Sequence, residues 1–389
     1  MADEELPQVF RTYKYRLFPT KRQHAALADI LESQRQLYNA ALESRIDYYR
    51  KIGKSLSYMT QTSQLAECRR DIPEMAVIPS NLQRATLKRL DRAFDGFFRR
   101  VKHGDKAGFP RFKGRDWFTS FGFVEFSGIR LVSKRLKFKG LPGFLRVHLH
   151  RQLPKDRKIC RCTFKKDARG WTVSFQVKMA VELLPASNIS VGIDCGITDL
   201  AVLSNGEHVP NPRIAKRHER ELRRHQRALS RCKKGSGGRR KARAKVARLH
   251  VHISNTRSTY LHQVSRKIVN SYGAIAVEKL NVKGLASSVL AKSVHDVAWG
   301  KFLFMLSYKA LSAGREFKEV DPRYTSQICS GCGVIVKKKL SERVHNCPEC
   351  GLVMDRDENA ALNILRRAVV SPGALQRRES LACAQKLQG

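Results

Sequence analysis

Three carboxylates far apart in the chain form the pattern with the most chemistry in it. Asp194 lies in Gly192-Ile193-Asp194-Cys195-Gly196, Glu278 in Ala276-Val277-Glu278-Lys279-Leu280, and Asp357 in Asp355-Arg356-Asp357-Glu358-Asn359. The first two each end a short apolar run that reads as a buried strand, and the third stands where a helix opens. Acids are scarce here, 34 Asp and Glu against 75 Lys and Arg, for a net charge of +41. Hard divalent cations want oxygen ligands, and three carboxylates suffice for magnesium because it retains waters and takes a phosphate oxygen as a further ligand. Two such ions about 3.5–4 Å apart can make a water nucleophilic and stabilise the leaving alkoxide of a phosphodiester.

Each acid alone has a plainer reading: a turn aspartate after a strand, a surface glutamate, a helix cap. Their order argues for them jointly. The expected layout is that of an RNase H-like nuclease, with Asp194 bridging two magnesium ions and Glu278 and Asp357 each holding one side. Asp355 is the close rival of Asp357, which is preferred as nearer the Asn359-Ala360-Ala361 helix face. Asp199 and Asp321 read as structural. A second constellation, Cys329-x2-Cys332-x14-Cys347-x2-Cys350, has the paired spacing of a zinc ribbon. Four thiolates close a tetrahedral zinc site and leave no position for water, so this zinc is structural. Lys337, Lys338, Lys339 and Arg343 on the ribbon suggest contact with a nucleic-acid strand.

The elements that must position these groups are readable in outline. At 389 residues with 42% hydrophobic content, the chain is expected to hold two or three domains. Its charge asks for a large polyanion, hence nucleic acid. Apolar runs of membrane length, a signal peptide and lipidation signals are missing. Cys68, Cys160, Cys162, Cys195, Cys232 and Cys383 lack framework spacing, which favours a reducing, cytoplasmic compartment, with the nucleoid implied by the polyanion.

Residues 9–18 alternate as a strand, Thr20 is a candidate N-cap, and an apolar stripe predicts a helix to about residue 52. A second helix is expected over 80–101, with Phe94, Phe97 and Val101 on its core face. The stretch 102–113, Gly/Pro-broken and basic, reads as a loop suited to tracking a nucleic-acid backbone. From 117 to 183 short β-like runs recur, including a hairpin of 160–164 with 171–177. Strand 9–18 is expected to join this sheet as a β-barrel (1–18 and 115–186), with 19–114 as a helical insertion.

After the linker at 183–187 the pattern becomes α/β. Residues 211–250 carry 16 Lys and Arg against two acids, on two helices broken at Gly235-Ser236-Gly237-Gly238. Such an imbalance argues for nucleic-acid contact, and His218, His225, His250, His252 and His262 read as part of that surface. A helix at 295–313, a strand at 317–320 and a last helix at 359–367 complete the nuclease domain, 187–369. The ribbon interrupts it at about 325–352, and a frayed tail is expected over 370–389.

The three acidic motifs, Tyr324-Thr325-Ser326-Gln327-Ile328-Cys329-Ser330-Gly331-Cys332, Tyr15-Arg16-Leu17-Phe18-Pro19-Thr20 and Gly108-Phe109-Pro110-Arg111-Phe112-Lys113 together resemble the TnpB proteins of insertion sequences, which are related to type V CRISPR effectors. The resemblance spans all but the tail. It implies an RNA-guided DNA endonuclease with a wedge-like barrel, a helical recognition lobe and a RuvC domain. A guide RNA and double-stranded target DNA beside a short transposon-adjacent motif are its implied partners. The family's catalytic acids fall on Asp194, Glu278 and Asp357, and its zinc ligands on Cys329, Cys332, Cys347 and Cys350. Cys195 and Lys279 depart from the usual pattern. A guide-directed repressor without cleavage and an unguided transposase or resolvase are the competing functions.

Overall fold

The alternation beginning at Val9 folds as the strand β1, Gln8–Phe18, which a capping box at Thr20 and Gln23 hands to the helix α1, Lys21–Ile52. Thr20 Oγ1 accepts from the Gln23 amide at 3.2 Å while Gln23 Oε1 accepts from the Thr20 amide at 3.1 Å. This is a computed structural model that describes residues 8–154, 158–181, 183–285, 287, 291–339 and 341–370. It forms two units, Met1–Ala180 and Val181–Gly389. Of the tail expected over 370–389, Val370 ends the last helix and 371–389 lie outside the described residues.

In the first unit α2 (Tyr58–Asp71), α3 (Pro73–Ala76) and α4 (Ser80–Lys102) follow α1. Helix α2 is absent from the sequence reading because its anchoring is polar. Of its residues only Gln61 and Leu65 are buried, and Gln61 accepts from Arg45 Nε at 2.7 Å and donates to the Ala41 carbonyl at 2.8 Å. The strands β2 (Ser120–Phe123), β3 (Ile129–Val132), β4 (Arg135–Phe138), β5 (Leu145–His148), β6 (Lys158–Asp167) and β7 (Gly170–Ala180) make an antiparallel sheet with β1, in the order β2-β6-β7-β1-β5-β4-β3. The β6–β7 hairpin turns at Ala168-Arg169. Phe123 of β2 meets Phe138 of β4 with ring centroids 5.3 Å apart, so the sheet curls around a core that also holds Phe164, Trp171 and Phe175. Among the described residues its edge strands β2 and β3 are not hydrogen-bonded to each other, so the expected barrel is a curled sheet. Val101, expected on the core face of α4, is exposed, because the helix outruns the core that its earlier turns bury.

In the second unit β8 (Ser190–Asp194), β9 (Asp199–Leu203) and β10 (His208–Pro210) precede the basic helices α5 (Ile214–Arg217), α6 (Glu219–Ser230) and α7 (Gly237–Ser271). Then come β11 (Ala274–Glu278), α8 (Val282–Leu285), α9 (Ala291–Val297), α10 (Trp299–Ser312) and β12 (Glu316–Val320). Two short strands, β13 (Val344–Asn346) and β14 (Val353–Asp355), lead to the helix α11, Arg356–Val370. The five-stranded sheet has the order β10-β9-β8-β11-β12, with β8, β11 and β12 parallel. The single helix expected over 295–313 is two helices, broken at Ala298, which takes φ 58°. Among the described residues no helix is long and apolar enough to cross a membrane.

Candidate active site

Parallel pairing of β8 with β11 aligns Ile193 with Val277, so Asp194 and Glu278 leave neighbouring strands at the same level of the same sheet edge. The third acid arrives on α11, which lies across β8, and Gly192 makes that approach possible. A Cβ at Gly192 would stand 2.0 Å from the Ala361 carbonyl oxygen and 2.7 Å from the Leu365 nitrogen. The first glycine of the Gly-x-Asp motif is thus the socket for the helix that carries Asp357, a role its weak motif signal did not reveal.

Asp355 and Asp357 differ in what they engage. Asp355 Oδ1 accepts from the amides of Asp357 at 2.8 Å and Glu358 at 3.1 Å, and so caps the helix. Asp357 instead adds to the negative potential felt by Asp194. It is held by Arg356, with Nη2 3.0 Å from Oδ1, and faces Arg343 Nη1 at 3.5 Å. Asp199 and Asp321, expected to be structural, bind His208 Nδ1 at 3.0 Å and the Arg323 amide at 3.1 Å.

Burial, then the charges of Glu278 and Asp357, push the Asp194 carboxyl up to about 8, against Arg356 and the Cys195 amide. Burial also raises Glu278, opposed by a hydrogen bond from Thr325 Oγ1 to Oε1. Carboxylates that burial keeps from ionising are a donor set for hard cations, whose charge would reverse these shifts. Among the described residues only the four cysteines bring three or more ligand atoms within 4.8 Å of one another. The three acids are therefore spread more widely than a single-ion cage.

The four cysteine sulfurs of the ribbon all lie within 4.8 Å of one another. Cys329 and Cys350 Sγ are 3.6 Å apart and Cys332 and Cys347 Sγ 3.5 Å. Four sulfurs about 2.3 Å from one zinc would sit roughly 3.8 Å from each other. Two matching knuckles present them: the Gly333 amide donates to Cys329 O at 2.9 Å and the Gly351 amide to Cys347 O at 3.0 Å, both glycines at positive φ. The thiolate set fits zinc.

Several residues that join the two sites escaped sequence reasoning. Asn359 and Asn363, both buried, donate from Nδ2 to Ile328 O at 2.8 and 2.6 Å, and Asn359 Oδ1 accepts from the Ser330 amide at 2.8 Å. They tie α11 to the segment that runs from Thr325 into the ribbon, so Thr325, at Glu278, is fixed by the helix that bears Asp357. The signal available was a pair of asparagines four positions apart on a helix, which suggests a polar seam. Lys338 and Arg343, expected to face nucleic acid, also have partners within the protein. Lys338 donates to His345 Nδ1 and to Ser326 O, and Arg343 faces Asp357.

Residues 174–289 match the OrfB_IS605 family, described as "Probable transposase"; residues 299–364 match the Cas12f1-like TNB domain and 9–54 a helix-turn-helix domain of the OrfB_IS605 type. Over 369 residues the chain is 34% identical to the "Putative RNA-guided DNA endonuclease" of Streptomyces pristinaespiralis, spanning 92% of this chain and 90% of that one. The chain belongs to the TnpB family. A like-named protein, InsQ of Escherichia coli K12, is 29% identical over 91% of each chain, and the CRISPR-associated endodeoxyribonuclease Cas12f1 of Sulfoacidibacillus thermotolerans is 30% identical over 61% of this TnpB-family chain and 57% of its own. The fold is similar to that of a Cas12f1 chain solved with its guide RNA and target DNA, with TM-score 0.62, 15% identity and coverage of 89% and 83%. Here the region matched as helix-turn-helix is β1 followed by the single long α1.

Proposed function

We propose that this protein is an RNA-guided, magnesium-dependent DNA endonuclease whose one RuvC-type site consists of Asp194, Glu278 and Asp357. The observation that carries the reading is the level exit of Asp194 and Glu278 from neighbouring parallel strands, with Asp357 brought over them by α11. Bound magnesium would supply a nucleophilic water and a counter-charge for the leaving oxygen. The chain's own part is placement. Asp194 occupies the shared position and would hold cations from its buried place between the other two acids. Thr325 orients Glu278 by its hydrogen bond, leaving the second carboxylate oxygen for a ligand. Asp357 is aimed by Arg356 and by the cap at Asp355.

The relatives named as RNA-guided endonucleases support the same activity for this chain. Guide RNA and double-stranded DNA are its proposed partners, and pairing with the guide would select a target beside a short motif read by protein. On this reading the curled sheet is the wedge, α1–α4 the recognition lobe, and 187–369 the RuvC domain with its zinc ribbon. Net charge of +41 favours binding two polyanions.

The test is to express the protein with a guide whose terminal segment is changed, and to supply plasmids with randomised flanks beside the new match. Cleavage should follow the guide, enrich one flanking motif, and vanish in Asp194→Ala while target binding remains. Cutting that ignores the guide would make the chain an unguided transposase or resolvase, and guided binding without magnesium-dependent cutting would make it a repressor.

A further inference from the structure

The end of α4 leaves the core and takes its aromatic residues with it. Phe94 is buried, but Phe98 is 52% exposed, Val101 53% and Phe109 48%. The rings form one connected cluster: Phe97 meets Phe98 edge-on at 5.2 Å between centroids and Phe109 at 5.4 Å, and Phe109 meets Phe94 at 5.5 Å. Arg100 Nη2 donates to the Gly108 carbonyl at 3.1 Å, which fastens the loop so that Phe109 reaches back to the helix. Arg99, Arg100, Lys102, Lys106 and Arg111 are interleaved with these rings, against Asp95 and Asp105.

An exposed apolar cluster in such company selects its occupant. A second copy would bring the same cations to the same face, and a neutral protein partner would bury them unpaired. A nucleic-acid strand brings phosphates for the basic residues and π-faces for the rings, and base–aromatic stacking tolerates any sequence. In a duplex those faces are already stacked on one another, so the matching ligand is unpaired. We propose that the cluster around Phe98 and Phe109 is a stacking platform for unpaired bases of a single-stranded nucleic acid. Because the loop is already fastened, the rings need little ordering on binding. This goes beyond the nuclease reading and uses none of its acids.

The experiment titrates full-length protein, without added magnesium, into end-labelled single-stranded RNA and DNA, each alongside an abasic strand of equal length and charge. The wild type should favour the base-bearing strand. Phe98→Ala should weaken that binding about tenfold and leave abasic binding unchanged, while Phe98→Trp should restore it; the nucleic acid showing the larger loss is the ligand. Phe98→Leu keeps the apolar contact and removes the π-face, so it should bind like Phe98→Ala while melting like the wild type. Equal losses on base-bearing and abasic strands, no loss on either, or a wild-type dimer that Phe98→Ala dissociates would overturn the proposal.

Discussion

Replacing Gly192 by Ala should damage cleavage through a helix that the glycine merely touches. The added Cβ would lie 2.0 Å from the Ala361 oxygen, 2.7 Å from the Leu365 nitrogen and 2.9 Å from Leu365 Cβ, whereas real Cβ atoms essentially never come within 3.0 Å of such neighbours. The two nearest atoms are backbone, so no rotamer change relieves the clash and α11 must retreat by about 1 Å. Overpacking of this kind costs about 1–3 kcal/mol of stability. The same retreat moves Asp357 relative to Asp194 and Glu278, and a misplacement of about 1 Å can cost roughly a hundredfold in rate. Single-turnover cleavage of a matched plasmid, with target binding and thermal melting measured on the same preparation, separates these effects. The expected result is a folded protein that binds its target and cuts it roughly a hundredfold more slowly. Adding Leu365→Ala should not rescue it, because the tightest contacts are not to that side chain. A Gly192→Ala enzyme that cuts at the parental rate would refute the claim that α11 is seated through this glycine.

Thr325→Val removes the hydrogen bond that lowers the Glu278 pKa, so more alkali is needed to ionise Glu278; the acid limb of the pH–rate profile should move to higher pH, and Thr325→Ser should return it. Cys347→Ser should release the one expected zinc and unfold the ribbon locally, because binding energy at a closed site is folding energy; elemental analysis beside hydrogen exchange reads both. Lys309 is buried, donates to His262 O at 2.8 Å and Ser265 Oγ at 2.7 Å, and is lowered by burial, then by Arg266, from 10.5 to about 8. Between those values the unfolded chain binds more protons, so stability should rise as pH climbs from 8 to 10.5. Lys309→Met should flatten that rise in denaturant melts taken across the range. Neutralising Arg220, Arg224, Arg227 and Arg231, which line a groove of about 1140 Å³ on α5 and α6, should weaken nucleic-acid binding and reduce its salt slope by up to about four. Arg239 is unsuited to this test because it donates to Leu229 O and Cys232 O and closes the α6–α7 turn.

What was legible in the sequence was what periodicity and ligand spacing encode. β1, α1, the β6–β7 hairpin and the strands ending at Asp194 and Glu278 all follow from apolar patterns matched to their own burial. The cysteine pairs follow from the bite of a knuckle. Patterns of that kind are silent about polar anchoring. Helix α2 is fixed by Gln61, and the seam from α11 to the ribbon by Asn359 and Asn363, residues that a hydrophobic count scores as surface. They were equally silent about backbone breaks, and the αL residue Ala298 divides a helix whose apolar stripe reads as continuous.

The choice between Asp355 and Asp357 shows why local sequence alone could not finish the site. Both lie at the start of one helix, and either could cap it or face a metal, since a carboxylate does both well. Chain order does not decide between them; the rotation of α11 about its axis does. That rotation is set from outside the motif, by the bare surface of Gly192 under Ala361 and by two asparagines gripping Ile328. With α11 seated so, Asp355 satisfies the first free amides and Asp357 turns toward Asp194. On the proposed reading the two acids are told apart by residues up to 165 positions away, and exchanging their roles would require the helix to roll on a glycine that leaves it no room.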